Sequence, residues 1–526
     1  MRPKPGHGTL LWRVPVLIVP VLIVPVLIVS VLLLVAPAGP AQAAGIEQWM
    51  PQQRVPGYGD DTLPPVLIAD RSQTVHAFTD QVVEDEPSQH AVVYSRWTLD
   101  DGWTDPVDVV LSPLKNYAQV LGVQMDDEGW IHLFFYGGDQ TNANVYYTKA
   151  PAVEANAAPA WSPPVLVGEY AASPVTGALG LDNAGTLHAV FAGFQDGSGL
   201  YSSNSTDQGE TWSDPTPFFL TYSDILYPWG VTVTTGTDGA QHAVWNVVNP
   251  AGHGVAVYYA GLPPGKEQWQ EPVVLEEGDP GGLGVMHPAI ITHQGALYVA
   301  YVRTPKVVVR RSDDGGTTWS DAVIPFPQHV GVNGTLAFAV DGNGDLHLLF
   351  GQRITGNPDI HGMWHSRLVG TQWSAPVPVV SGPRVVDLKG DTGFDPFDAH
   401  AVVSQGNVLL ATWRTDPGDI MPNGVWYSFL RLDAPQLAVV PLPTVTVPPA
   451  PTPVPLEAIT ASITASVAAS LPVPAPVTNA GAGTAEAALA DGDDSHSAPL
   501  FVGLAPVLLL LSGVMAVVYA RRHQSR

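Results

Sequence analysis

Three arginines close comparable apolar runs: Tyr298-Val-Ala-Tyr-Val-Arg303, His347-Leu-Leu-Phe-Gly-Gln-Arg353 and Val408-Leu-Leu-Ala-Thr-Trp-Arg414. A guanidinium offers a planar fork of N–H donors that matches a carboxylate in bidentate fashion. Arginines that recur in one phase of the sequence could therefore gather around an anionic group. Only 11 arginines lie between the two ends of the chain, so the recurrence is informative. Arg54 is a fourth candidate. The competing reading is that each is a solvated loop residue paired with an acidic neighbour.

A column of imidazoles recurs as well, at His76, His132, His188, His242 and His347, with Tyr298 and Val408 in the same phase. The histidines follow an Asp–turn–Gly step, as in Leu181-Asp-Asn-Ala-Gly-Thr-Leu-His188, except that Gln73 replaces the glycine before His76. Histidines on successive repeats cannot converge on one ion, so the column reads as structural and no metal site is expected from it. Asp341-Gly-Asn343-Gly-Asp345 has part of the oxygen spacing of a calcium loop. Its phase matches the other turns, which favours a plain turn; calcium is the one cofactor left open.

These residues need a scaffold, and the tryptophans define it. Trp49, Trp103, Trp161, Trp212, Trp269, Trp319 and Trp373 are spaced by 54, 58, 51, 57, 50 and 54 residues. A period near 55 with no helical pattern inside it marks a radial β-repeat. Asp/Asn-Gly steps between apolar runs give one hairpin per unit. Val145-Tyr-Tyr, Leu200-Tyr-Ser, Val257-Tyr-Tyr and Val425-Trp-Tyr supply a third strand, and the Trp segment a fourth. The class is all-β: a seven-bladed propeller over 46–434, with strands A to D from the inside out and a six-bladed ring as the alternative. Trp49 precedes the first hairpin, and the last unit lacks a Trp strand of its own. The N-terminal strand is thus expected to complete the last blade near Trp426, which hides the edges.

Two C–D turns are complete copies of S-x-D-x-G-x-T-W: Ser205, Asp207, Gly209, Thr211, Trp212, and Ser312, Asp314, Gly316, Thr318, Trp319. Asp accepts backbone N–H bonds, Gly takes positive φ and Trp is buried between blades. The pattern resembles the Asp-box repeat of the sialidase-like (neuraminidase) propeller superfamily, over about three quarters of the chain. The resemblance implies fold more than activity, and it places the Asp boxes opposite the ligand face.

In a four-stranded blade the A–B and C–D turns share one face, and the B–C and D–A loops share the other. The candidate arginines follow B strands, on the second face. Sialidases hold the substrate carboxylate with an Arg triad and use an Asp acid/base and a Tyr–Glu nucleophile. The resemblance would give the triad to Arg303, Arg353 and Arg414, with Arg54 (in Arg54-Val55-Pro56) joining them. Asp60, Asp61, Asp391 or Asp395 would supply the acid. Tyr222 and Tyr227 lie in the loop before blade 4, but no Tyr–Glu pair is evident. Tyr427-Ser428 falls in an ordinary C strand.

The chain carries 22 basic and 48 acidic residues, a net charge of −26. Six of the basic residues lie in the two ends, leaving 16 against the 48 acids. That balance excludes a basic nucleic-acid footprint. Residues 1–43 read as a secretory signal, with Ala41-Gln42-Ala43 before the cleavage point; a retained anchor is the rival. Residues 435–498 form a Pro/Thr/Ala-rich stalk. Residues 499–520 carry no charge and span roughly 33 Å as a helix, enough for a bilayer core. Arg521, Arg522 and Arg526 place the tail, 521–526, in the cytoplasm. With no cysteine, a bacterial cell membrane, the propeller outside, is the expected address. Three functions follow: a surface module that recognises a glycan, an exo-α-sialidase-type glycoside hydrolase, or a protein–protein scaffold. Whether the chain is an enzyme is left open, since fold cannot choose.

Overall fold

The computed structural model describes residues 48–443, apart from 84–85, 140, 172–174, 224, 280, 357–358, 384–394 and 416–423. The expected signal, membrane span and tail, most of the stalk, and Asp391 lie outside the described residues. Seven antiparallel sheets follow one another along the chain. Blade 1 runs Val66–Ala69, Val75–Val83, Glu86–Thr98 and Val107–Leu111. Blade 2 runs Tyr117–Met125, Trp130–Gly138, Ala143–Pro151 and Val165–Glu169. Blade 3 runs Gly177–Leu181, Leu187–Gly193, Gly199–Ser205 and Thr216–Leu220. Blade 4 runs Tyr227–Thr235, Gln241–Val248, Gly254–Leu262 and Val273–Glu277. Blade 5 runs Val285–His293, Ala296–Arg303 and Lys306–Ser312; blade 6 runs His329–Val340, Leu346–Ile354, Ile360–Val369 and Val377–Pro383. Blade 7 runs Pro396–Ser404, Val408–Thr415 and Val425–Arg431.

Successive A strands touch all the way round, including blade 7 against blade 1, so the ring is closed and has seven blades rather than six. Its seam is the expected one. Gln53–Arg54 pairs with the C strand of blade 7 in the register Gln53↔Tyr427 and Arg54↔Trp426. Met50 N–H donates to the Phe429 carbonyl at 3.0 Å and Val55 N–H to that of Val425 at 2.9 Å. Ser428 Oγ donates to the Met50 carbonyl at 2.5 Å, and Tyr427 Oη to Gln53 Oε1 at 2.9 Å.

Two details differ from the sequence reading. The tryptophans stand just ahead of the D strands rather than within them. In blade 5 the fourth strand shrinks to one bridge, Val309 with Val323. Pro325 and Pro327 follow at once, and a residue without an N–H cannot extend a ladder.

Each interface between blades has its own cluster of buried side chains, and each cluster holds one of the seven tryptophans: Trp161, Trp212, Trp269, Trp319, Trp373, Trp49 and Trp103 in ring order. In blades 1, 2, 3 and 6 a histidine of the column ties the Asp of the A–B turn to the C strand. His132 lies 3.3 Å from Asp126 and 2.6 Å from Tyr147 Oη, and Tyr147 donates to the Gln208 carbonyl of blade 3 at 3.0 Å. Gly209 permits that approach, because a Cβ there would lie 1.9 Å from the Tyr147 ring. Tyr259 repeats the contact two interfaces later, donating to the Gly315 carbonyl at 2.9 Å. The two S-x-D-x-G-x-T-W turns are built alike. Gly209 and Gly316 N–H groups donate to Ser205 and Ser312 Oγ at 2.8 Å. Asp207 Oδ1 and Asp314 Oδ1 accept from Thr211 and Thr318 N–H at 3.0 and 2.8 Å.

Blade 6 departs from this scheme. His365 replaces the tyrosine, lies 2.9 Å from His347, and meets Trp49 edge-on at 5.5 Å. Burial pushes His365 down to about 3, and the neighbouring His347 adds to the effect. A histidine held neutral in the folded chain but free to charge near 6.5 when unfolded lowers stability progressively as pH falls from about 6.5 towards 3. We expect His365→Tyr to flatten the dependence of urea-unfolding stability on pH between 6 and 4 by up to about 1.4 kcal/mol per pH unit, one proton's worth. An unchanged slope would contradict this assignment.

Candidate functional site

The B–C and D–A loops form the face opposite the S-x-D-x-G-x-T-W turns, and the candidate arginines lie there. Alternation along a strand decides which way each one points. Tyr298, Ala300 and Val302 pack against blade 6, so Arg303 faces blade 4. Leu349 packs towards blade 7, so Arg353 faces blade 7. Leu410 packs towards blade 1, and Arg414 shares its side. The one-residue difference in the length of the run before Arg303 sends it to the other side of its blade from Arg353.

Each arginine has its own acid. Arg303 Nη1 lies 3.3 Å from Glu276, which also accepts from Tyr301 Oη at 2.8 Å and Arg310 at 3.3 Å. Burial raises the Glu276 carboxyl, but the Tyr301 hydroxyl and the two guanidiniums outweigh it and hold it below its usual range. Arg353 lies 4.0 Å from Asp359. Arg414 Nε donates to Asp398 at 3.2 Å while its guanidinium sits 4.4 Å over the Phe397 ring. Arg54 pairs with Asp60 and with the Tyr58 carbonyl at 3.2 Å. Asp61 is exposed in the same loop. Asp395 Oδ1 lies 2.7 Å from His361 Nδ1, and His361 is buried.

The inner strands are bulged near this face in blades 2, 4, 5, 6 and 7. Bulges re-aim side chains. Here they bring Asp398 of blade 7, at φ 56°, onto blade 6, where it accepts from Thr335 N–H at 3.1 Å. His287 and His400, on inner strands either side, are held below the usual histidine range by burial, with the charge of Asp398 acting in the opposite sense.

The other half of the face carries exposed aromatic rings. Tyr117, Tyr170, Phe194 and Tyr222 are 50, 52, 48 and 76% exposed, and they are all the exposed aromatic side chains among the described residues. They stand at the junctions of blades 1–2, 2–3 and 3–4. Tyr170 and Phe194 meet edge-on at 6.2 Å, and the Phe194 N–H donates to the Tyr170 carbonyl at 3.3 Å. Tyr117 lies 4.9 Å from His90. Tyr222 was singled out by sequence for another role, and the other three were missed. Their only signal is an aromatic placed directly beyond a strand end. Tyr227 is half-buried, its hydroxyl donating to the Asn249 carbonyl at 3.4 Å.

A cavity of about 470 Å³ opens on the opposite face, lined by Gln124, Asn183, Thr235, Thr237 and Thr292 among others. Asp341 Oδ1 accepts from Asn343 and Asp345 N–H at 2.9 and 2.8 Å; these are the bonds of a plain turn. Among the described residues, no group of three or more histidine or acidic side chains is placed to hold a metal.

No family model and no curated protein sequence matches the chain. Solved structures do. An ulvan polysaccharide lyase of family PL25, bound to a GlcA(1-4)Rha3S unit, aligns at 14% identity over 73% of this chain and 96% of its own, with a TM-score of 0.46. A protein of unknown function from Dyadobacter fermentans aligns at 12% over 73% and 99%, with a TM-score of 0.44. The intramolecular trans-sialidase from Ruminococcus gnavus aligns at 13% over 72% and 96%, with a TM-score of 0.38. The chain's own sheets establish the seven-bladed propeller.

Gly334 is the test of the bulged inner ring. It has φ 75°, and a Cβ there would lie 2.1 Å from Asp398 Oδ1 and 2.5 Å from its N. Gly334→Ala should lower stability by roughly 2 kcal/mol or more in urea unfolding. An unchanged midpoint would show that blades 6 and 7 do not meet at this point.

Proposed function

We propose that this protein recognises a glycan on the face formed by its B–C and D–A loops, through the aromatic arc over blades 1 to 4. The supporting observation is the placement of the four exposed rings on one face and one arc of it. Soluble proteins bury such rings, and a cluster of exposed ones marks a contact surface. A flat ring with a polar tip suits the C–H faces of a sugar while its hydroxyl reaches sugar oxygens.

The hydrolase reading has less support. A shared carboxylate clamp would require Arg303, Arg353 and Arg414 to leave Glu276, Asp359 and Asp398 and turn to one anion from three different blade sides. The same proposal covers the address. The module is held outside a cell by the apolar segment 499–520, behind the stalk 435–498, whose first residues are hydrogen-bonded to the ring, after a signal over 1–43. The sequence of those segments is what supports it.

On an array of immobilised glycans, the full-length chain should bind a subset without hydrolysing it. Tyr170→Ala with Phe194→Ala should weaken that binding at least about tenfold, as expected for truncating central aromatic contacts. Binding that survives loss of both rings, or turnover of a fluorogenic sialoside lost in Arg353→Ala, would overturn the proposal.

A further inference from the structure

The aromatic arc carries a strong charge asymmetry. Blades 1 to 4 contain five lysines and arginines: Arg71, Arg96, Lys115, Lys149 and Lys266. By strand topology, four of them belong to the opposite face. Arg71 and Lys266 lie in its turns, and Arg96 and Lys149 near the strand ends that lead into them; Lys149 pairs there with Glu210 at 3.0 Å. Lys115 alone stands beside the arc.

The acids are distributed the other way, one or two at each aromatic position. Asp139 stands beside Tyr117: Asn116 donates to its Oδ2 at 3.3 Å, and its charge and Tyr117 both act on Tyr136. Bonds from the Thr141 N–H, the Thr141 hydroxyl and the Asn142 N–H keep Asp139 below the usual carboxyl range, so it is ionised at neutral pH. Asp80 lies 3.2 Å from His90, the histidine that neighbours the same ring. Glu169 adjoins Tyr170 and Asp196 follows Phe194 by two residues; both acids are exposed. Glu277, also exposed, stands near enough to Tyr222 that both act on Tyr258.

We infer that the arc selects a cationic glycan, a polymer of amino sugars bearing free ammonium groups, and rejects sialic acids and uronic acids. The inference rests on the glycan reading of the same surface. The physics is a pairing of two terms. Ring faces attract a cation through their quadrupole. Carboxylates at roughly one per ring raise the local concentration of cations and repel anions, and this term is screened by salt. Like-charge juxtaposition of a sugar carboxylate with Asp139, Glu169 or Asp196 acts as specificity against acidic ligands. Among the described residues of the opposite arc, Arg303, Arg414 and Arg54 are each bonded to an acid, and Arg353 has Asp359 at 4.0 Å, so their charges are partly or wholly offset.

The test compares three probes on the full-length chain in neutral detergent at pH 6: a β-1,4-linked glucosamine hexamer, its fully N-acetylated counterpart, and 3′-sialyllactose. The glucosamine hexamer should bind about tenfold or more tightly than the acetylated one at low salt, the equivalent of about 1.4 kcal/mol. The gap should narrow as salt is raised to 0.5 M, and sialyllactose should not bind. A triple variant, Asp139→Asn, Glu169→Gln and Asp196→Asn, with its melting temperature checked against the parent, should bring the two hexamers to within about twofold of each other. Equal affinity for the two hexamers in the parent, or binding of sialyllactose that depends on Tyr170 and Phe194, would overturn the charge inference and leave the glycan reading standing. Failure of all three sugars alongside binding of a lysine-rich peptide would overturn both and make the arc a protein-docking surface.

Discussion

The structure depends on one antiparallel pairing, that of residues 53–54 with the C strand of the last blade. A ring of wedge-shaped sheets is stable only if every blade has two neighbours, because an unpaired outer edge and an uncovered blade face expose both ladder groups and apolar surface. Here the chain supplies its first strand to its last sheet, so the ends of a run of nearly 400 residues are fastened together. Trp49 comes with that strand and fills the interface between blades 6 and 7. The C-terminal side strengthens the seam. The Leu437 N–H donates to the Gln405 carbonyl at 2.8 Å and the Val440 N–H to the Arg71 carbonyl at 2.8 Å, so 435–443 bridges the turns of blades 7 and 1.

Closure sorts the loops into two faces and so divides the labour between them. One face is spent on construction, with Asp–His–Tyr ties and S-x-D-x-G-x-T-W turns that hand hydrogen bonds from one blade to the next. The other is free to vary, and its two halves differ in character. Over blades 5 to 7, Arg303, Arg353, Arg414 and Arg54 each lie beside an acid. Over blades 1 to 4 the rings are exposed and the carboxylates are unopposed but for Lys115. A surface of that kind is set up to attract and stack upon a cationic or neutral ligand. It has little to offer an anionic one.

Much of the scaffold was legible in the sequence because it repeats. Trp spacing gave the blade count, the Asp–Gly–His column gave the A–B hairpins, and the mismatch of phase between Trp49 and Trp426 gave the seam. The site was less legible, because it is written in details that do not repeat. Arg303, Arg353 and Arg414 look equivalent by position, yet a strand alternates sides at every residue, and one extra residue in blades 6 and 7 separates their directions. Their partners Glu276, Asp359 and Asp398 sit on other strands and loops, at separations that no local pattern reveals. Tyr117, Tyr170 and Phe194 are ordinary residues in sequence, and only the burial of nearly every other ring makes them stand out. The reduced fourth strand of blade 5 follows from Pro325 and Pro327, which the repeat period does not register.

The most direct test of the account is to lock the seam. The chain has no cysteine, so Gln53→Cys with Tyr427→Cys introduces one unambiguous pair. Facing residues on antiparallel neighbours stand about 4.5–5.5 Å apart at Cα, within disulfide range. The account predicts quantitative crosslinking within the monomer under mild oxidation, and a melting temperature several degrees higher than that of the reduced form. Two free thiols in the folded protein, or crosslinks formed only between chains, would show that the ring is not closed by its own beginning.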